Sequence, residues 1–450
     1  MRTSETAGWL AALVLAAACS PARAAAVGIP LTLAEAVDIA LANNPAPVAA
    51  AGRESGALAA RDGVSAEYWP QVQLTSRVAH ASEVPVSQIP GYPPVPLVES
   101  DTWITAATLQ QLLFTGGRVS ALVRQAESGA EAARMAGVRT RQVTACNAER
   151  AFRRLLAAQE LTGVAAKNLA AAEDHLLVAR QRFEARAAAR FDVLRAEVQA
   201  EEARQEVILV EGGLLVARAL LLQALGLPAG DYRAVAPPRA EEPRPGVEEL
   251  LVRAGRLRPD LRELEQQVVA AEEGVAAARA ERAPTVGVAA DYQFVDPESE
   301  MVFSHWTVGA YLSLPVLDGG RITSHRQGAE AALVQARAAL DALRRQVEAE
   351  VRQAAAHADS ADAQVLVAQR RVEQAEELSR LADVRFAGGV GTATEVADAQ
   401  ASMARARYVL VLAESERGTA AAELALAVGS TPADRTPSPQ PPPSGGGEAR

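Results

Sequence analysis

The sequence predicts long supercoiled helices of a tunnel wall joined to short membrane-type β-strands, the whole unit written twice in tandem. Three observations predict it. At Leu312–Arg321 the segment LSLPVLDGGR passes from an alternating to a helical pattern, and an earlier counterpart, QQLLFTGGR, lies at Gln110–Arg118. Landmarks recur at fixed offsets. Leu33, Glu35, Pro45 and Pro70 match Val247, Glu249, Pro259 and Pro284 at 214 residues, whereas Gly116, Arg118, Phe183, Val193 and Gly226 match Gly319, Arg321, Phe386, Val396 and Gly429 at 203. Finally, the last helix of each copy keeps a 3,4 spacing of small and apolar residues, from which only Arg417 departs.

The N-terminus comes first. Arg2, an apolar run from Trp9 to Ala18 and then Ala22-Arg23-Ala24 fit a signal peptide over residues 1–24 with an A-x-A cleavage site. Cys19 offers a competing reading as a lipidated N-terminus, although Ala16 rather than Leu stands three residues before it. If Cys19 is removed, Cys146 is the remaining cysteine, read as a small core residue, and no internal disulfide is possible. No other stretch reaches the roughly 18 consecutive apolar residues of a membrane helix, so insertion must come from strands.

The first repeat, residues 25–227, opens with a helix and continues with strands at about 71–81 and 102–113; the second, 247–430, has strands at about 285–294 and 306–317. Val286, Val288, Ala290, Tyr292 and Phe294 alternate with Thr285, Gly287, Ala289, Asp291 and Gln293, and Val72, Leu74 and Val78 with Gln73, Thr75 and Arg77. One face is therefore apolar and the other polar or small. Trp69, Trp103, Tyr292 and Trp306 near the strand ends match the aromatic girdles of a transmembrane barrel. Four strands cannot close a barrel, and an open edge in lipid leaves backbone groups unpaired, so several chains must contribute. The change of offset falls in the Pro-rich insert Val84–Val98, which is expected in an exposed loop.

Each junction then starts a very long helix. Gly116 and Gly117 before Arg118, and Gly319 and Gly320 before Arg321, permit a sharp bend, and Asp318 can accept bonds from free N–H groups downstream. Seam residues include Leu340, Leu343, Val347, Ala361, Val365 and Ala368, followed in the last helix by Val396, Ala399, Met403, Ala406, Leu410 and Ala413. Small seam residues let helices approach closely, as a tube wall requires. Between the long helices lie two turns, one with Ala187, Ala188 and Ala189, the other with Gly388, Gly389, Val390, Gly391 and Thr392. A Pro-rich linker, 228–246, separates the repeats, and a Pro/Ser/Gly-rich tail, 431–450, is expected to be disordered.

Composition excludes several functions. A formal charge of −10 argues against a nucleic-acid partner. His80, His175, His305, His325 and His357 are scattered without metal-ligand spacing, and the glycine-rich turn lacks the Lys of a phosphate loop. No cofactor and no catalytic constellation are expected. Seven Phe, six Tyr and four Trp in 450 residues are few for a thick core of large side chains, which favours closely packed helices.

In these motifs the chain resembles the TolC-like outer-membrane efflux protein family. The marks are LTLAEAVDIALANNP, LLFTGGR, LPVLDGGR, RFEARAAARFDVLRAE, RFAGGVGTATEVADAQ and ALGLP, spread over about 33–429. The resemblance implies a homotrimer with a 12-stranded barrel in outer-membrane lipid and a coiled-coil tunnel through the periplasm. It further implies docking on a periplasmic adaptor and an inner-membrane transporter, with the two helical turns as adaptor-contact tips. Glu395 and Asp398, neighbours on one helix face, match the acidic ring of the periplasmic aperture gate, and Asp192 stands in the first copy. The plainer reading is that each carboxylate complements the positive end of its helix. Two departures stand out: Leu112 where the second copy has Pro315, and no glycine in the first turn. The alternative is a periplasmic adaptor or coiled-coil scaffold, which normally shows the hairpin once.

Overall fold

The computed structural model describes residues 28–83, 86–88, 90–91, 95–96, 101–236, 244–297 and 303–430. The expected signal peptide, Cys19 and the tail 431–450 lie outside the described residues, as do parts of the Pro-rich insert and linker.

The first repeat begins with β1 (Ile29–Leu31) and a pair of helices, α1 (Leu33–Asn43) and α2 (Pro45–Ser65), where the sequence suggests one. Thr32 starts α1 with a capping box, its hydroxyl accepting from Glu35 N–H at 3.3 Å while Glu35 Oε2 accepts from Thr32 N–H at 2.8 Å. Pro45 causes the break, because it holds Asn44 extended (φ −68°, ψ 134°). The second repeat breaks in the same way at Pro259, between α5 (Val247–Leu257) and α6 (Pro259–Ala280).

Four strands form one antiparallel sheet. They are β2 (Gln71–His80), β5 (Asp101–Phe114), β7 (Thr285–Pro297) and β8 (Phe303–Ser313), paired in that order, so β2 and β8 are its free edges. The register puts Leu74 beside Ala107, Ala107 beside Tyr292 and Tyr292 beside Trp306, which gathers the apolar side chains of all four strands on one face. Gln73, Thr108, Asp291 and Thr307 share the other. β8 ends earlier than the alternation suggests, since Leu314–Leu317 contains Pro315, which has no N–H to donate. The Pro-rich insert contributes a short ladder, β3 (Val86–Ser87) against β4 (Val95–Pro96), where the sequence suggests only loop.

The strands lead into α3 (Arg118–Glu184) and α7 (Arg321–Ala387), each 67 residues and therefore about 100 Å long at 1.5 Å per residue. The returning helices are α4 (Arg190–Leu225) and α8 (Ala393–Val428). The predicted seams are the buried ones: Ala196, Ala200, Ala203, Val210, Ala217 and Leu221 in α4, and Val396, Ala399, Ala406, Ala413, Ala420 and Leu424 in α8. Cys146 is buried in α3. By length and composition α4 resembles a membrane span, although Glu211 and Arg218 interrupt its apolar run. Between the repeats the linker is more than a spacer. Its β6 (Tyr232–Ala234) pairs in parallel with β1, and Arg244 is held by Asp359 and Asp362 of α7.

Both repeats end on their own beginnings. The carbonyl of Ala224, near the end of α4, accepts from Asn44 Nδ2 at 3.0 Å, and that of Ala427 in α8 from Arg258 Nη1 at 3.1 Å. Asn44 and Arg258 are equivalent positions, each satisfying a carbonyl that a helix end leaves without a partner.

Candidate functional site: the junctions and the helical tips

The two strand-to-helix junctions share one construction. Gly117 and Gly320 have φ of 88° and 90°, the left-handed region that glycine enters without a Cβ penalty. Asp318 accepts from Gly320 N–H at 3.1 Å and Ile322 N–H at 2.7 Å, and Thr115 Oγ1 accepts from Val119 N–H at 3.3 Å. Asp318 and Thr115 therefore both cap their helices despite the difference in charge. The bonds from Ile322 and Gly320 hold the Asp318 carboxyl below the usual carboxylate range. Arg118 reaches Glu67 at 3.4 Å and Arg321 reaches Glu281 at 3.8 Å. Each pair ties the entry to the long helix to the residue just ahead of the first strand of its own repeat. Sequence reasoning missed both glutamates, although the offset of 214 relates them.

At the other end of the long helices lie the two tips, again built alike. Ala187 N–H donates to the Arg182 carbonyl at 2.7 Å, and Val390 N–H to the Arg385 carbonyl at 3.1 Å, the bond that closes a helix through a left-handed residue. In the second tip that residue is Gly389 at φ 75°; in the first it is Arg186 at φ 58°, which explains how the turn forms without glycine. Gly391 N–H adds a bond to the Arg385 carbonyl at 2.9 Å, and Gly388 continues the turn. Thr392 then caps α8, its hydroxyl accepting from Glu395 N–H at 3.2 Å. Asp192 does comparable work in the first tip, where its Oδ2 accepts from Ala189 N–H at 3.1 Å; Ala188 completes that turn. Val390 and Phe191 stand exposed.

The acidic residues have basic neighbours. Glu395 Oε2 lies 3.5 Å from Arg385 Nε, and Asp398 Oδ1 lies 3.7 Å from Arg195 Nη2. Arg195 also donates to Thr394 Oγ1 at 3.0 Å, so a side chain of α4 bridges to the start of α8. A second bridge is apolar and cationic together. The Arg182 guanidinium sits 3.9 Å over the Phe386 ring, and the His175 ring meets that ring edge-on at 6.2 Å. The sequence reading overlooked Arg195 and Arg182. The repeat offset held the signal for Arg195, since it is the equivalent of Asp398 with the opposite charge.

Among the described residues no group of three or more His, Cys, Asp or Glu side chains is placed to hold a metal ion. A membrane-type sheet at one end, with two hairpins of very long helices and tight turns at the other, is the architecture of a channel-type envelope protein. It belongs to the outer membrane efflux protein family, whose description fits residues 36–227 and 250–430, nearly the whole of both repeats. It thus resides in the outer membrane and extends into the periplasm, as an efflux channel. Protein CyaE of Bordetella pertussis is 28% identical over 393 residues, covering 82% of this chain and 78% of that protein. The outer membrane protein VceC of Vibrio cholerae superposes with a TM-score of 0.74 at 20% identity, over 89% of this chain and 96% of that one. The Campylobacter jejuni CmeC outer membrane channel gives 0.77 at 16% identity, over 88% and 85%.

Proposed function

We propose that three copies of this chain combine their four-stranded sheets into a 12-stranded barrel and their helices into one tunnel. The assembly serves as the passive exit duct of a tripartite efflux or secretion system. The observation that carries this reading is the sheet with two free edges. Its apolar face suits lipid, but four strands in lipid need closure by other copies. The exposed face of α4 supports it. Leu194, Val198, Ile208, Leu209, Leu215 and Val216 stand exposed there, apolar surface that no other described residue of the chain covers.

In this reading the tips, Ala187–Ala189 and Gly388–Thr392, dock on a periplasmic adaptor that links the duct to an inner-membrane transporter, which supplies the energy. Glu395 and Asp398, two carboxylates per chain, ring the periplasmic mouth, with Asp192 close behind. Threefold repetition favours cations there. The Arg195 bridge to Asp398 and Thr394 holds the mouth closed, and exposed ion pairs of this kind are worth only about 0–1 kcal/mol, so docking can release them.

Single-channel recording in planar bilayers tests the assignment. Arg195→Ala is expected to raise conductance by loosening the mouth, and Glu395→Ala with Asp398→Ala to reduce cation preference severalfold. An unchanged ion preference in the double variant would remove these residues from the gate.

A further inference from the structure

We propose that the second strand-to-helix junction is a binding site for an anionic phospholipid of the periplasmic leaflet, with arginines of α6 and α7 holding the lipid phosphate. The site lies within one chain and rests on the outer-membrane location, not on the trimer. Both junctions sit at the same end of the sheet, because β2 starts, β5 ends, β7 starts and β8 ends there. Their chemistry differs. Arg279, Arg282, His325 and Arg326 of the second repeat have Ser65, Tyr68, Leu122 and Val123 as equivalents in the first, at the offsets of 214 and 203. The pair that ties each junction together, Glu67 with Arg118 and Glu281 with Arg321, is common to both. The added basic side chains therefore answer no need of the turn itself.

Their arrangement suits a phosphate at a membrane surface. Arg279, Arg282, Arg321 and Arg326 are all exposed, whereas Val275, Ala277 and Ala278 form the buried side of α6 just before them. The carboxylates nearby are shared or already engaged. Glu330 serves both Arg279 at 3.3 Å and Arg326 at 3.7 Å, and Glu281 serves His325 at 2.7 Å and Arg321 at 3.8 Å. Asp318 is turned to the N–H groups of Gly320 and Ile322, and Arg282 reaches the Thr323 hydroxyl at 3.4 Å. Exposed ion pairs of this length contribute little, while a phosphate offers a guanidinium two oxygens at once. Apolar anchorage adjoins the cluster. Val316 and Leu317, immediately before Asp318, are 89% and 94% exposed and continue the bare apolar residues Leu312 and Leu314 of the β8 end. Basic side chains beside bare apolar ones, at the edge of a membrane-type sheet, complement the headgroup and acyl chains of one lipid.

Retention of labelled phosphatidylglycerol by the immobilised full-length protein in detergent tests the site, with phosphatidylcholine of the same acyl chains as the uncharged comparison. Wild type is expected to retain the first and not the second. Arg282→Gln with Arg326→Gln should lower retention about 20-fold, roughly fivefold for each arginine removed. Arg282→Lys with Arg326→Lys should keep most of it, and Arg190→Gln with Arg371→Gln, which removes the same charge far from the junction, should leave it unchanged. Equal retention by wild type and the junction Gln variant overturns the site, as does an equal loss in the distant variant. Displacement of the lipid by an excess of inorganic phosphate would assign the arginines to a free anion and overturn the lipid reading. If the Gln variant loses its heat-modifiable mobility, wild type alone decides: retention that is insensitive to salt, or equal for the two lipids, sinks the proposal. None of these outcomes bears on the number of chains in the duct.

Discussion

Arg186 occupies the left-handed conformation that its repeat-equivalent Gly389 adopts freely, at φ 58° against 75°. A side chain there costs about 1 kcal/mol or more. Arg186→Gly is therefore expected to stabilise the first tip by about 1 kcal/mol, seen as slower amide exchange over 183–191 while the second tip is unchanged. Asp318 and Thr115 make a second comparison, because one cap titrates and the other does not. Bonds to Ile322 and Gly320 lower the folded Asp318 pKa below its ordinary 3.8, so its contribution is fully present above that value and is lost as pH falls through the folded pKa. Removing either cap should lower the melting temperature at neutral pH, because a free N–H at the start of the helix loses its acceptor. In thermal unfolding series run downward in pH, the deficit of Asp318→Ala should shrink in acid, whereas that of Thr115→Ala should persist.

At the scale of elements, the tips of α3 and α7 are coupled through His175, Arg182 and Phe386. Burial, reinforced by the Arg182 charge and only partly offset by Asp383, lowers the His175 pKa below 6.5. The sign follows directly: neutral His175 suits the packed tip, so the packing is intact above pH 6.5 and weakens as pH falls through the lower folded value. Acidification is expected to raise channel open probability, and His175→Gln to abolish that part of the pH response in bilayer recordings. Elements of this length were readable in the sequence because a heptad seam repeats many times: α4 and α8 bury most of their predicted seam positions, while Val193, Val207, Leu214, Met403 and Leu410 are only half-buried. Short elements were not. β6 and the β3–β4 ladder span two or three residues each, too few for a period to show, and β6 exists only because β1, about 200 residues away, lies beside it. The break between α1 and α2 was signalled by Asn44-Pro45, a local steric effect that the longer helical pattern obscured.

Across the whole molecule, the end of the second repeat is fastened more firmly than the end of the first. Asn44 offers one neutral bond to Ala224. Arg258, buried at 2% exposure, binds Ala427, Asp260 and Glu350 together, and Arg139 of α3 adds a bond to Leu426 at 2.9 Å. Burial would raise the Asp260 carboxyl, but the Arg258 bonds and the Arg139 charge outweigh it and hold it low. Asn44→Ala should cost about 1 kcal/mol. Arg258→Ala should cost more, about 2 kcal/mol, because it leaves the buried Ala427 carbonyl unpaired and takes one partner from Asp260, which keeps Arg139, and one from Glu350, which keeps Gln346. Urea unfolding of the two variants measures the difference.

The sequence by itself determined the duplication, the strand faces, the helical seams and the glycine-bearing junctions, since each is a periodic or steric property carried by neighbouring residues. Only the tertiary structure decided what each of four arginines meets: Arg195 with Asp398, Arg182 with Phe386, Arg118 with Glu67 and Arg258 with the end of α8. The first two pairings depend on how two hairpins built on helices about 100 Å long lie against one another and the last two on how each repeat folds back on itself, and no local pattern encodes the distance between residues on separate elements.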